Sequence, residues 1–344
     1  MNWEKLYLRS FYSITRFKIM KNKNIIKLVI SALLIVYIIY YIANNTDEFL
    51  KLKHITFLQI VQMYLVYCIF LMVVGQRMLI IAREYGLRNI SFVGWIRIFL
   101  LARFFNKFIP QAGNIYRAVK LKNDHGFSYQ QYLTTLLSFI WMDTITMLMI
   151  LTIVFLLFER SFIILGMPVY ALSLILLVGL SVSPLIISYF SKYKTNIDSR
   201  FSKIFRYISD SINILYLPGL IIKQLFLSTV SFSLYVYILN ICAIGIGVEV
   251  PLFMLVIFAA VIKLSSYVVI TPGNIGIKEL ALGYLSMASN LDFGDGIMIA
   301  GITRIIIYIS TISMGCLFGG IPMIKDLQAY KLNNKEDIHF EQGS

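Results

Sequence analysis

Two charges sit where charges are costly. Asp143 and Arg304 lie inside long apolar stretches, and each costs about 2.5–3.5 kcal/mol at the centre of a membrane helix. Each therefore needs a partner. At about 1.5 Å per residue, Asp143 lies roughly 18 Å in from one end of its span and Arg304 roughly 10 Å in from the opposite end of its own. In a hydrocarbon core about 30 Å thick both reach one level, and pairing with each other is the expected outcome. A structural salt bridge and a gating or head-group role both fit that pair. Two other places combine helix breakers with polar groups: Phe108-Ile109-Pro110-Gln111-Ala112-Gly113-Asn114-Ile115-Tyr116-Arg117, and Val269-Ile270-Thr271-Pro272-Gly273-Asn274-Ile275-Gly276-Ile277-Lys278-Glu279. Pro removes a backbone donor and Gly permits a sharp reversal, so each reads as a turn opening a half-helix. The first N–H groups of a half-helix are unpaired and carry the positive end of its dipole, which suits a phosphate or carboxylate. Arg117 follows Asn114 by one turn, Lys278 and Glu279 follow Asn274, and Arg97, Arg103 and Lys107 line the approach. The chemistry on offer is the holding of an anion. Snorkelling to the interface is the structural alternative for the cations. Glu279, an awkward neighbour for an anion, is expected to bind Lys278, Arg304 or a cationic head group.

Other chemistries lack their signatures. There is no His-Glu-x-x-His, no Gly-x-Ser-x-Gly and no glycine-rich phosphate loop with Lys. Cys68, Cys242 and Cys316 lie in apolar segments and His54, His125 and His339 are scattered in loops, so neither a metal site nor a cofactor is expected. An excess of 31 Lys+Arg over 17 Asp+Glu would suggest nucleic acid in a soluble protein. Here the basic residues gather in blocks between apolar segments, the pattern of the positive-inside rule. No nucleic-acid partner is expected.

The elements that must position these residues are membrane helices. Of 344 residues 59% are hydrophobic and 14% charged, too few charges to wet the surface of a soluble domain, which carries about 25%. Spans are predicted at Ile25–Ala43, Phe57–Leu79, Leu133–Phe158, Phe162–Phe190, about Gln224–Ile246 and Ile297–Ile321, with interrupted apolar stretches at 92–122 and 252–289. Segments 1–24, 77–122, 191–223 and the tail after 321 hold 24 Lys/Arg, against 3 in the loops 44–56, 159–161, 247–251 and 286–296. That asymmetry places both termini in the cytoplasm. The organisation expected is a basic amphipathic segment 1–24, suited to an anionic leaflet or equally to a cytosolic tail, a transmembrane domain 25–322, and a cytoplasmic polar tail 323–344. The fold class is all-α, a polytopic integral membrane bundle.

The two interrupted stretches resemble each other, with Asn114 and Asn274 separated by 160 positions and Asp143 and Arg304 by 161. The spans before them run in opposite directions. We therefore expect inverted repeats, about 57–158 and 224–321, each holding a re-entrant Pro/Gly-broken hairpin, one inserted from each side. A stretch such as 252–270 is also long enough to cross completely.

At these residues the sequence resembles a known family. Leu101–Asn123 is similar to a basic first signature in which a Pro-containing turn leads through Gly to Arg-Ala. Pro272 to Glu279 is similar to a second, Pro-Gly-x-x-Gly-x-x-Glu, followed by an Arg in the last spans. The family is the transmembrane flippase region of lysylphosphatidylglycerol synthases and its stand-alone prokaryotic relatives, several associated with glycolipid or polysaccharide pathways. The resemblance covers about 25–322 and points to Pro110, Gly113, Arg117, Asp143, Pro272, Gly273, Gly276, Glu279 and Arg304. The sequence departs from the family where Asn114 replaces an acidic residue and Phe139-Ile140 replaces Glu-Arg. No soluble aminoacyl-transferase domain is expected in the residues beyond the last span. The resemblance implies a lipid translocase in a prokaryotic plasma membrane, acting on an anionic or zwitterionic phospholipid or a polyprenyl-linked glycan precursor. A docking or regulatory subunit for a glycosyltransferase or synthase, and a membrane-embedded transferase with Asp143 or Glu279 as base, are the other readings; a homo-oligomer is compatible with each.

Overall fold

A computed structural model describes residues 33–34, 36–109, 111–164, 166–193, 217–267 and 274–341. The expectations for 1–24, for most of the basic loop 191–223, and for Pro110, Pro272 and Gly273 lie outside the described residues. After a helical stretch through 36–44 and a short turn with a 3-10 segment at Leu50–His54, the chain forms α1 (Phe57–Glu84), α2 (Phe92–Phe108), α3 (Ala112–His125) and α4 (Tyr129–Phe158). A two-residue ribbon, β1 (Ile163–Ile164) with β2 (Met167–Pro168), leads to α5 (Val169–Tyr193). Then follow α6 (Pro218–Gly245), α7 (Leu252–Tyr267), α8 (Ile277–Met287) and α9 (Phe293–Glu341).

Local sequence explains where the helices begin. Thr56 and Gln59 form a reciprocal capping box that starts α1, and Ser128 with Gln131 does the same for α4. The Ser91 hydroxyl accepts from Gly94 N–H to open α2. Among the described residues, α1, α4, Gly219–Gly245 of α6 and Phe293–Gly319 of α9 are long and apolar enough to cross a membrane; Val169–Ser183 and α7 are shorter apolar helices. Three boundaries differ from expectation. The first long span continues beyond Leu79 to Glu84, because its basic residue Arg77 is buried inside the bundle. The expected start of the fourth span at Phe162 is instead taken up by the ribbon, Ile163–Ile164 pairing with Met167–Pro168 beside Gly166 (φ 76°). The polar tail continues α9 as helix to Glu341.

Both interrupted stretches are hairpins. Gln131 Nε2 donates to Tyr85 O at 2.8 Å, joining the end of α1 to the start of α4. The α2–α3 hairpin between them thus enters and leaves at this one face, the Tyr85 face. At the other end of α1, a Cβ on Gly245 would lie 3.4 Å from Gln59 and Ile55, and Lys51 Nζ binds Asp295 at 2.7 Å. The end of α6 and the start of α9 therefore share the Lys51 face, and α7–α8 dips in from there and returns.

The packing is two-fold in pattern. Exchanging α1–α4 with α6–α9 maps each neighbouring pair onto another. α2 packs on α9 as α7 packs on α4, α1 on α9 as α6 on α4, α3 on α4 as α8 on α9, and α1 meets α6 at the centre. Each half thus lends its hairpin to the final span of the other. This exchange, with hairpins inserted from opposite faces, is the arrangement of inverted repeats. Trp95 Nε1, fully buried, donates to Gly75 O at 2.7 Å and fixes α2 against α1.

Candidate functional site

Asp143 is the hub of a buried polar cluster built by four helices. Its Oδ1 accepts from Arg77 Nη1 of α1 at 2.8 Å and from Ser228 Oγ of α6 at 3.2 Å. Its Oδ2 lies 2.9 Å from Lys263 Nζ and 3.2 Å from Tyr267 Oη, both of α7. Arg77, 1% exposed, also donates to Ser231 Oγ at 3.0 Å and lies over the Phe139 ring at 4.8 Å. Its Nε and Nη2 have no hydrogen-bond partner among the described residues. One carboxylate thus holds two cations, and its lone pairs are fully engaged.

The expected Asp143–Arg304 pair is not formed. Arg304 Nε binds Glu279 Oε1 at 2.7 Å, and its Nη2 donates to Glu279 Oε2 at 3.1 Å and to Asn274 O at 3.0 Å. Equal depth, as expected from the sequence, constrains only one coordinate. Laterally, α4 packs on α7 whereas α9 packs on α8 and α2, and although both also touch α1 and α6, Lys263 with Arg77 takes Asp143 and Glu279 takes Arg304. The expectation that Glu279 meets Arg304 agrees with the geometry.

The hairpin tips also differ from open phosphate cradles. Gly276 (φ 86°) caps α8, and its N–H donates to Glu279 Oε2 at 2.9 Å, so the carboxylate already occupies that helix N-terminus. Asn274, with φ 52°, takes the left-handed conformation Asn tolerates, and its side chain donates to Ser265 O. At the other tip Gln111 (φ 67°) precedes α3, and Gly113 N–H donates to Asn106 Oδ1 at 2.8 Å. Gly113 is there because α2 is too close for a side chain: a Cβ would sit 1.7 Å from Ala102 O. Asn114 Nδ2 bonds Gln111 Oε1 at 2.6 Å. Arg117 is 3% exposed and reaches Met78 Sδ at 2.9 Å and the Phe99 ring at 5.0 Å, with its Nε unpartnered among the described residues. The reading of Arg117 as a phosphate holder is corrected by that burial.

Between the tips lies a cavity in two lobes. The larger, about 250 Å³, is lined by the Arg77–Asp143–Lys263–Tyr267 cluster, by Arg103, Lys107 and Lys278, and by aromatic rings including Tyr67, Phe139 and Tyr235. The smaller, about 130 Å³, adds Asn106, Thr303 and Arg304. Lys107 of α2 and Lys278 of α8 line both lobes. Lys107 Nζ lies 4.5 Å from the Tyr308 ring centre, Lys278 Nζ bonds Ser266 Oγ at 3.0 Å, and Arg103 lies over Phe99 at 5.2 Å. Arg97, by contrast, is exposed.

The structure thus gathers Arg103, Lys107, Asp143, Lys278 and Arg304 around one cavity, with Glu279 and Asn274 held just behind by Arg304. Gly113, Asn114, Gly276 and Arg117 shape the hairpins instead. Arg77, Lys263, Tyr267, Ser228 and Ser231 were not expected. Among the described residues no cluster of three or more His, Cys, Asp or Glu could hold a metal.

A family model described as the lysylphosphatidylglycerol synthase TM region matches residues 24–315 of this chain. No curated protein and no solved structure matches it.

Proposed function

Because this membrane protein belongs to the lysylphosphatidylglycerol synthase transmembrane region family, we propose that it is a lipid translocase, moving a phospholipid or a lipid-linked glycan precursor between leaflets. The observation that carries this reading is the cavity between two hairpins inserted from opposite faces. Five cations line its larger lobe against the single carboxylate of Asp143. A head group passing there would exchange hydration for fixed charges and donors. The Lys/Arg count supports a cytoplasmic Tyr85 face and an outer Lys51 face, and in this reading the α2–α3 hairpin guards the cytoplasmic route and α7–α8 the outer one. Rocking of one half against the other would alternate access.

The test is reconstitution of the full chain into liposomes with fluorescent lipids of several head groups. Lys107→Gln with Lys278→Gln is expected to reduce translocation at least tenfold in folded protein. Loss of no activity in that variant, or no lipid movement by the parent, sinks the translocase reading. Retained support of a partner glycosyltransferase would then favour the docking-subunit reading.

A further inference from the structure

We propose that the cavity takes a lipid-anchored diphosphate in preference to a single phosphodiester or an amine-bearing head group. This rests on the translocase reading for the lipid anchor, while the charge argument stands on the cavity itself.

Charge comes first. Arg77, Arg103, Lys107, Lys263 and Lys278 reach the larger lobe, and Asp143 alone opposes them. In the smaller lobe Arg304 is already neutralised by Glu279. Asp143 pairs with Arg77 and Lys263, which leaves the half-buried Arg103, Lys107 and Lys278 without a carboxylate partner among the described residues, so the cavity favours a ligand with more than one negative charge. A phosphodiester supplies one; a diphosphate ester supplies two to three.

Donor geometry agrees. Lys107 and Lys278 stand at the junction of the lobes, on hairpins from opposite faces. Two adjacent phosphates suit such a junction, one toward each lobe, with Lys107 and Lys278 lining both. Arg77 adds a second, independent sign of a ligand. It is 1% exposed and lines the larger lobe, with two guanidinium nitrogens unpartnered among the described residues. A guanidinium fork of this kind matches phosphate oxygens.

The same count disfavours amines. A head-group ammonium finds no open carboxylate, because both oxygens of Asp143 are taken by Arg77, Ser228, Lys263 and Tyr267. Glu279 is taken by Arg304 and by Gly276 N–H. An amine would instead meet the surplus cations. The aromatic wall of Tyr67, Phe139 and Tyr235 leaves a neutral surface on which a sugar attached to the diphosphate can stack.

The experiment uses the full chain in phosphatidylcholine nanodiscs and measures binding of farnesyl diphosphate, farnesyl monophosphate, inorganic pyrophosphate, phosphatidylglycerol and phosphatidylethanolamine. Farnesyl diphosphate is expected to bind at least about tenfold tighter than the monophosphate or either phospholipid. The preference should collapse in Lys107→Gln/Lys278→Gln and survive in Lys107→Arg/Lys278→Arg, whose retained charge controls for folding. Equal affinity for mono- and diphosphate overturns the inference, as does a preference unchanged in the Gln pair. Pyrophosphate binding as tightly as farnesyl diphosphate overturns the lipid anchor and points to a soluble anion. Translocation of phosphatidylglycerol without any diphosphate preference defeats this inference and leaves the translocase standing. Diphosphate preference without movement of any lipid does the reverse.

Discussion

Lys263 Nζ lies 2.9 Å from Asp143 Oδ2, joining the re-entrant arm of one half to the final span of the other across a separation of 120 residues. Arg77 completes the bond from a third helix, so the carboxylate is a fastener between the halves as much as a charge in the cavity.

That arrangement predicts strong, non-additive coupling. Asp143→Asn leaves two buried cations without a counter-ion and should destabilise the protein by about 3–5 kcal/mol. Asp143→Asn with Lys263→Met should cost clearly less than the sum of the single changes. Asp143→Asn with Arg304→Gln should be additive, because those two side chains serve separate clusters. Unfolding in detergent or bicelles, read as a double-mutant cycle, checks both statements.

Glu279 has two separable duties, and substitution can divide them. Glu279→Gln can still accept from Gly276 N–H but loses the ionic bond to Arg304, whereas Glu279→Ala loses both. Thermal melting should rank the parent above Gln and Gln above Ala, with the Ala change costing about 1–2 kcal/mol more through the lost cap. Equal loss in both variants would show that the cap contributes nothing.

Glycine tolerance should differ sharply by position. Gly113→Ala places a Cβ 1.7 Å from a backbone oxygen of α2 and should prevent folding of the first hairpin. Gly301→Ala meets nothing within 4 Å and should be neutral or stabilising by up to about 1 kcal/mol, since Ala is the better helix former. Expression and size-exclusion profiles of the two variants make the comparison.

The Lys51 bond to the start of α9 has a defined pH dependence. Partial burial lowers the Lys51 pKa, but hydrogen bonds to Asp295 and Asp292 outweigh it and raise the group above its ordinary 10.5. A raised folded-state pKa stabilises fully below the unfolded value and is lost as pH rises through the folded one. The Lys51→Met stability difference should therefore be constant through neutral pH and shrink only in the alkaline range above 10.5. A difference that already shrinks at neutral pH would contradict this assignment.

The sequence shows depth more readily than neighbours. Apolar runs reveal the long helices, and Pro and Gly mark both hairpin tips, because those residues act on the local backbone. The family signatures single out Glu279 and Arg304, which do meet. Asp143 and Arg304 are expected at one depth yet find different partners, because lateral position comes only from packing. Arg77 is hidden by its company: ending the span at Leu79 folds it into a basic block of interfacial residues, whereas the helix carries it into the core. Lys263 had a usable signal, a single ammonium within the apolar run of α7. Arg117 misleads in the other direction, since a cation one turn from a helix start reads as a ligand group until Phe99 and Met78 are seen to enclose it.

The Arg77–Asp143 bond also sets an order on biogenesis. Arg77 precedes its carboxylate by 66 residues in the chain, so until α4 is made its guanidinium lacks that partner. The Arg77–Asp143 bond can therefore form only once α4 has been made, after the whole α2–α3 hairpin. Ser228, Ser231 and Lys263 come later still. The buried cluster that fastens the finished bundle is thus complete only when α7 has joined it, so the two halves close on each other last.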